Sequence, residues 1–99
     1  MMAKMPDNWQ PIGDGEEIAM IVDTRDRFVG LYHRHAGADD GEPCMGSIYF
    51  DVEWVRSSAA FSNYAKWTVE SWEPLTVSPS LLCSCGHHGF IRGGKWITA

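Results

Sequence analysis

Short β-prone runs separated by glycine- and proline-containing turns are the feature that most constrains the fold of this chain. Apolar and polar residues alternate along several of these runs. Such alternation is typical of strands that bury one face. The pattern therefore predicts a mostly β domain, a small α+β fold at most, with antiparallel strands. The predicted strands cover residues 16–24, 27–35, 47–55 and 66–73.

The clearest turn signal lies close to the C-terminus. Gly93 and Gly94 separate two β-prone triplets, at 90–92 and 95–97. A two-residue hairpin turn requires positive φ angles, which glycine adopts without steric cost. The sequence therefore predicts a C-terminal β-hairpin.

Three segments are less regular than the predicted strands. Residues 1–15 contain two prolines and two glycines, which predicts an irregular lead-in to a single domain at 16–99. Residues 56–67 are compatible with either one short helix or a loop. Segment 74–79 has a proline at each end. Because proline cannot donate to a β ladder, we expect an edge strand or a bent strand there.

Size and charge exclude several functional classes. The 99 residues suffice for one domain with a small core, and the net charge of −5 opposes binding to nucleic acid. No apolar run is long enough to cross a bilayer. The N-terminal residues lack the apolar region of a secretion signal. We therefore expect a cytoplasmic protein that does not bind membranes.

All three cysteines and all four histidines lie in two blocks, at 33–44 and 83–89. Thiolate and neutral imidazole are ligands that zinc prefers in proteins. Thiols stay reduced in the cytoplasm, and three cysteines cannot all pair, so a zinc site is favoured over a disulfide framework. A structural zinc would also stabilise a domain whose core is small.

Seven residues compete for the four positions of a structural zinc site. Cys85 and His88 come first, because two ligands three residues apart can converge on one ion from a tight turn and form a zinc knuckle. In the first block, His33 and His35 share one face of a strand, and Cys44 follows in a loop. The predicted zinc ligands are His35, Cys44, Cys85 and His88, with Cys83 and His33 as substitutes.

Catalytic interpretations of the same residues are less well supported. A Cys–His nucleophile would need an orienting third group beside His87 or His88. A zinc hydrolase would keep one metal position open and use a glutamate such as Glu42 or Glu53, but no His-x-Glu or His-Glu-x-x-His motif occurs. A Cys-x-Cys redox pair lacks a βαβ context. We therefore assign no catalytic residue, and we keep a metal-free domain with a buried Cys–His cluster as a third hypothesis.

About a third of the chain, residues 66–96, carries a series of short motifs. These are Leu75-Thr76 with Pro79-Ser80-Leu81, then Cys85 with His88, Phe90-Ile91 and Gly94-Lys95-Trp96. On these motifs the chain resembles a family of small uncharacterised proteins from tailed phages of actinobacteria. It is more distantly similar to a domain of unknown function found beside bacterial ubiquitin-like modification genes.

The resemblance to the second domain implies metal binding by Cys85 and His88. That domain is expected to bind metal through a further Cys-x-Cys segment upstream. This chain has His33-Arg34-His35 roughly at that place, so the upstream ligands differ in type.

The two lines of argument lead to one functional expectation. The resemblance implies a phage-encoded accessory protein, acting in the cytoplasm of the infected host cell. The acidic composition and the many aromatic residues favour a host or phage protein as the partner. The alternative is a metal-dependent, hydrolase-like enzyme with an open zinc position. The zinc hypothesis predicts loss of thermal stability on chelation or on Cys85→Ser.

Overall fold

The computed structural model describes residues 8–13, 15–35, 44–82 and 86–99. These residues form one curled sheet of eight strands whose spatial order is their chain order. The predicted fold class, a mostly antiparallel β domain, is confirmed. The strands are β1 Gln10–Gly13, β2 Glu16–Val22, β3 Phe28–His35, β4 Cys44–Phe50, β5 Lys66–Trp72, β6 Leu75–Leu82, β7 His88–Arg92 and β8 Lys95–Thr98, and the helix is α1 Glu53–Arg56.

The alternation of side chains decides which residues of β2 and β3 face the interior. Glu16 and Ile18 are buried on β2, and Leu31, His33 and His35 are buried on β3. The two strands pair antiparallel, with Ile18 opposite His33. Because directly opposite residues share a face of the sheet, both strands direct one row of side chains inward. That inner row is apolar at one end and polar at the other.

The sheet curls so that both of its halves contribute to one core. Phe50, Leu31 and Ile91 are fully buried, and each stabilises the fold by about 1.5–3 kcal/mol relative to an exposed side chain. The edge strands β1 and β8 approach each other without pairing. The buried apolar cluster comprises Ile12, Ile18, Leu31, Ile48, Phe50, Leu75, Val77, Leu81 and Ile91.

The third predicted strand, 47–55, extends too far towards the C-terminus. Strand β4 begins at Cys44 and ends at Phe50, and α1 follows. The reason is the parallel pairing of β4 with β5, since parallel neighbours need a crossover of a dozen or more residues. Within that crossover, Val55 is fully buried and anchors α1 to the core.

The two alternatives left open for residues 56–67 resolve mostly in favour of the loop. A single 3₁₀ turn at Ala59–Phe61 follows α1, and Lys66 already begins β5. None of the helices among the described residues has the length and apolarity needed to cross a membrane.

Strand β6 is internal, so the prediction of an edge strand at 74–79 is wrong. It pairs with β5 on one side and with β7 on the other. Pro79 follows Ser78, the last residue of β6 with a β5 partner, and it lies in the register irregularity between Val77 and Leu81 on the β7 side. The proline therefore occupies a position where no regular ladder needs its missing N–H. The bent-strand alternative agrees with this irregularity.

Both ends of the described chain form strand pairs. The predicted C-terminal hairpin is confirmed, with φ angles of 60° at Gly93 and 75° at Gly94 in the turn between β7 and β8. At the other end, residues 10–13 of the predicted irregular lead-in form β1 and pair with β2. Ile12 explains this difference, because its side chain enters the core and is only 6% exposed.

Candidate metal site

A buried carboxylate, Glu16, lies at the polar end of the inner face, where β2 begins. Its Oε1 atom is 2.7 Å from His33 Nε2, and its Oε2 atom is 3.0 Å from His87 Nε2. A carboxylate accepts hydrogen bonds, so both imidazoles donate through Nε2–H. In a neutral imidazole this leaves Nδ1 with the lone pair. Glu16 therefore links β3 to the segment that precedes β7, on the other half of the sheet.

His33 is held between Glu16 and the indole of Trp96. The His33 and Trp96 rings are stacked, with centroids 4.6 Å apart and an interplanar angle of 14°. Burial lowers the pKa of His33, while the hydrogen bond and the charge of Glu16 oppose that shift. The neutral imidazole is therefore favoured at neutral pH, which agrees with a single N–H donated to Glu16.

His35 and His87 stack on each other beside Glu16, with ring centroids 4.1 Å apart. One ligand atom from each of Glu16, His35 and His87 lies within 4.8 Å of the others. Some point must then lie within about 2.8 Å of all three atoms, whereas zinc binds nitrogen and oxygen at about 2.0–2.2 Å. Side-chain movements below about 1 Å would bring the three atoms to bonding distance. The three residues can therefore hold a metal ion.

The indole of Trp96, on β8, stacks on the imidazoles of His33 and His87. It occupies the space that a side chain at residue 89 would fill. The centroids of the indole and the His87 ring are 5.1 Å apart, and the indole Nε1 donates to Thr98 Oγ1. A Cβ atom at residue 89 would lie 2.5 Å from Trp96 Cε2 and 2.7 Å from the carbonyl oxygen of Ile97. Glycine alone fits at this position, because any methyl group would displace the indole.

The structure places some of the predicted zinc ligands beside Glu16 and one of them apart from it. His33 and His35 both belong to the buried group around Glu16. Cys44 is the cross-strand partner of His35 in the β3–β4 ladder, so the two share the inner face. His88 lies apart from the group, because it is exposed and its Nε2 atom is 2.6 Å from Ser80 Oγ.

Cys83 and Cys85 lie outside the described residues. The zinc knuckle of Cys85 and His88 therefore stays a prediction, as does the set of His35, Cys44, Cys85 and His88.

Two residues of the group were not among the predicted ligands. Glu16 lies on the same face of β2 as Ile18 and Met20, so its inward position could be read from the strand pattern. The two-residue period of β7 distinguishes His87 from its neighbour His88, because His87 has the same parity as the buried Gly89 and Ile91, whereas His88 is exposed. The hydrogen bond from His87 to Glu16 spans 71 residues of chain.

One carboxylate and two imidazoles form a donor set that suits borderline divalent ions such as zinc and iron(II). The donor types alone do not select one metal. Glu16 can act in either of two ways: as a ligand, or as the carboxylate that orients a ligating imidazole through its N–H. In both cases a bound cation would lie opposite the buried carboxylate of Glu16.

Searches against protein-family models, curated proteins and solved structures found no match. The metal site proposed for this chain therefore rests on its own residues and their geometry.

Proposed function

We propose that this chain is a metal-binding β domain in which a zinc ion stabilises the polar end of the core. The observation that carries the proposal is the convergence of ligand atoms from Glu16, His35 and His87 within 4.8 Å. Glu16 and His35 are buried, at 5% and 7% exposed, and both come from regular strands. Ligands held on strands need little ordering when the ion binds, which favours affinity.

The energetic benefit follows from the composition of this end of the core. Residues with buried polar side chains replace the apolar residues that would otherwise stabilise a 99-residue domain. A structural zinc contributes on the order of 10 kcal/mol of apparent binding free energy near neutral pH, all of it coupled to folding. The ion would connect β2 and β3 to the segment that precedes β7. It would therefore join the two halves of the sheet.

His33 supports the site without being needed as a ligand. Its Nε2–H donates to Glu16 Oε1, which holds the carboxylate in one orientation. A partner of this kind typically changes metal affinity by about 10–100-fold when it is removed. Cys44 lies beside His35 on the same face, and its predicted role as a sulfur ligand remains a hypothesis.

For the biological role, we propose a phage-encoded accessory protein that binds a host or phage protein in the infected cell. The resemblance of residues 66–96 to proteins of actinobacterial phages supports the origin. A net charge of −5 and exposed apolar side chains support a protein partner. The exposed apolar side chains include Leu82 at 70%, Met45 at 43% and Trp72 at 42%.

A hydrolase-like enzyme is the second candidate function, favoured by the number of ligands. Two histidines and one glutamate match the ligand set of one class of catalytic zinc sites, which keeps the fourth position open. The cavity that reaches His33 has a volume of about 220 Å³, below the range of roughly 300–1,000 Å³ typical of small-molecule sites. We therefore place the structural role first.

Metal analysis of two neighbouring histidine variants tests the site. The purified chain should contain about one zinc ion, and chelation should lower its melting temperature. His87→Gln should lose most of the metal. His88→Gln is the matched control and should retain the metal, because the exposed imidazole of His88 hydrogen-bonds to Ser80 and lies apart from Glu16.

The same pair of variants separates the site seen in the structure from the one predicted by spacing. Loss of metal in His88→Gln alone would reject Glu16, His35 and His87 as the ligand set and would favour the pair of Cys85 and His88. A native chain that binds no metal and melts unchanged with chelator would reject both.

Cobalt substitution distinguishes the structural role from the catalytic one. A site closed by four protein ligands has no bound solvent, so its absorption spectrum should not change with pH or with added azide. An open site should change in both experiments, because the solvent ligand deprotonates or is replaced.

A further inference from the structure

We infer that the open edge of β4 pairs with the same edge of a second copy of this chain, which gives an antiparallel, two-fold symmetric dimer. Strand β4 pairs with β3 from Cys44 to Tyr49, but with β5 only at Tyr49 and Phe50. Within the described part of the chain, residues 45–47 therefore have no strand partner on the β5 side.

A hydrogen bond to β5 just after the end of β4 shows which backbone groups face this open side. The N–H of Asp51 donates to the carbonyl oxygen of Trp67 at 2.7 Å. Backbone groups of every second residue in a strand point to the same side. Ser47 and Met45 therefore direct their N–H and C=O groups the same way as Asp51, away from β3. Among the described residues, neither Met45 nor Ser47 has a β5 partner to which these four groups could bond.

The chemistry of this edge differs from that of the two terminal edges. Natural sheets discourage edge pairing with proline, lysine or a covering segment. Strand β1 carries Pro11 and strand β8 carries Lys95, whereas residues 45–47 are Met, Gly and Ser, all exposed and uncharged. In a chain of net charge −5, an uncharged edge is where two copies can approach with the least repulsion.

The edge is also complementary to itself. A two-fold axis through Gly46 places Met45 of one copy opposite Ser47 of the other, and the reverse. Both residues direct their backbone outward, so each opposed pair is a hydrogen-bonded pair that exchanges two bonds. The dimer therefore gains four hydrogen bonds. Gly46 has no side chain at the axis, and a Cβ atom there would meet nothing within 4 Å.

This inference goes beyond the proposed metal site and does not depend on it, since neither Met45 nor Ser47 belongs to the group of ligands. An isologous two-fold pairing is the commonest form of protein self-association. A short, exposed, uncharged strand edge of this kind fits a reversible dimer that forms at higher protein concentration.

Sedimentation velocity of the full chain over a range of concentrations tests the inference. The native chain should show a concentration-dependent monomer–dimer equilibrium, and the amides of Met45 and Ser47 should exchange more slowly in the dimer. Ser47→Pro removes two of the four hydrogen bonds, and each contributes roughly a fivefold factor, so dimerisation should weaken about 25-fold. The monomer tolerates this proline because the N–H it removes points away from β3.

A second variant keeps the test valid if the proline disturbs the fold. The double variant Met45→Lys and Ser47→Lys leaves the backbone intact and adds charge on the edge, so it should also weaken the dimer. The matched control, Ser57→Lys with Thr68→Lys, adds the same charge at exposed positions elsewhere and should dimerise like the native chain. Melting curves confirm that each variant is folded.

Three results would overturn the inference. One is a chain that stays monomeric at every concentration. Another is a dimer that is unchanged by both edge variants. The third is a dimer in which the amides of Met45 and Ser47 exchange as fast as in the monomer. Such a dimer would form through another surface and would leave the β4 edge to pair only with a foreign peptide.

Discussion

The tightest packing at the candidate metal site is where Trp96 crosses Gly89, and Gly89→Ala tests it directly. The new methyl group would lie 2.5 Å from Trp96 Cε2 and 2.7 Å from the carbonyl oxygen of Ile97. Carbon atoms normally approach to about 3.5–4.0 Å, so the indole would have to withdraw by about 1 Å or more. The carbonyl oxygen belongs to the β7–β8 ladder and cannot move independently.

Overpacking of a well-filled core costs typically about 1–3 kcal/mol. We expect the upper half of this range, about 2–3 kcal/mol, because one of the two obstacles is backbone. For a chain of this size each kcal/mol lowers the melting temperature by about 4–8 °C, so the expected decrease is about 10–20 °C. The displaced indole would also leave His33 and His87, and metal content should fall with stability.

Thermal melting by circular dichroism and urea denaturation measure this effect. Gly46→Ala is the control, since it changes another strand glycine whose added methyl group meets nothing within 4 Å. Trp96→Leu in the Gly89→Ala background should recover stability, which makes the double-mutant cycle non-additive. An additive cycle, or a Gly89→Ala chain within about 0.5 kcal/mol of native, would refute the argument that Trp96 requires glycine at 89.

Two further predictions concern the ionisation and the metal content of the same site. Because burial lowers the pKa of His33, the unfolded chain binds a proton below about pH 6.5 that the folded chain does not bind. The metal-free protein should therefore lose stability as the pH falls below that value, by at most about 1.4 kcal/mol per pH unit, and His33→Gln should flatten the dependence seen in urea titrations. Zinc at about 100 times its dissociation constant should stabilise the chain by about 2.7 kcal/mol, and chelator should reverse the shift in a melting experiment. Identical melting curves in zinc and in chelator would contradict the metal assignment.

Local patterns of the sequence were sufficient for most of the strands. The alternation in β2 and β3 determines side-chain direction within a few residues. Gly93 and Gly94 determine the geometry of the turn between β7 and β8 in the same local way. The errors lie where pairing depends on distant partners. Strand β4 ends at Phe50 because a parallel partner must be reached by a crossover, and β6 is internal although it contains Pro79.

The metal site was likewise predictable from local sequence patterns only in part. The sequence by itself concentrated the histidines and cysteines in two blocks and directed His33 and His35 to one face of a strand. Only the tertiary structure brought Glu16 to His33, 17 residues away, and to His87, 71 residues away. Side-chain direction is set by the two-residue period of a strand, which is local. The distance between strands is set by register and by the curl of the sheet around Phe50, Leu31 and Ile91, and these depend on burial summed over the whole chain.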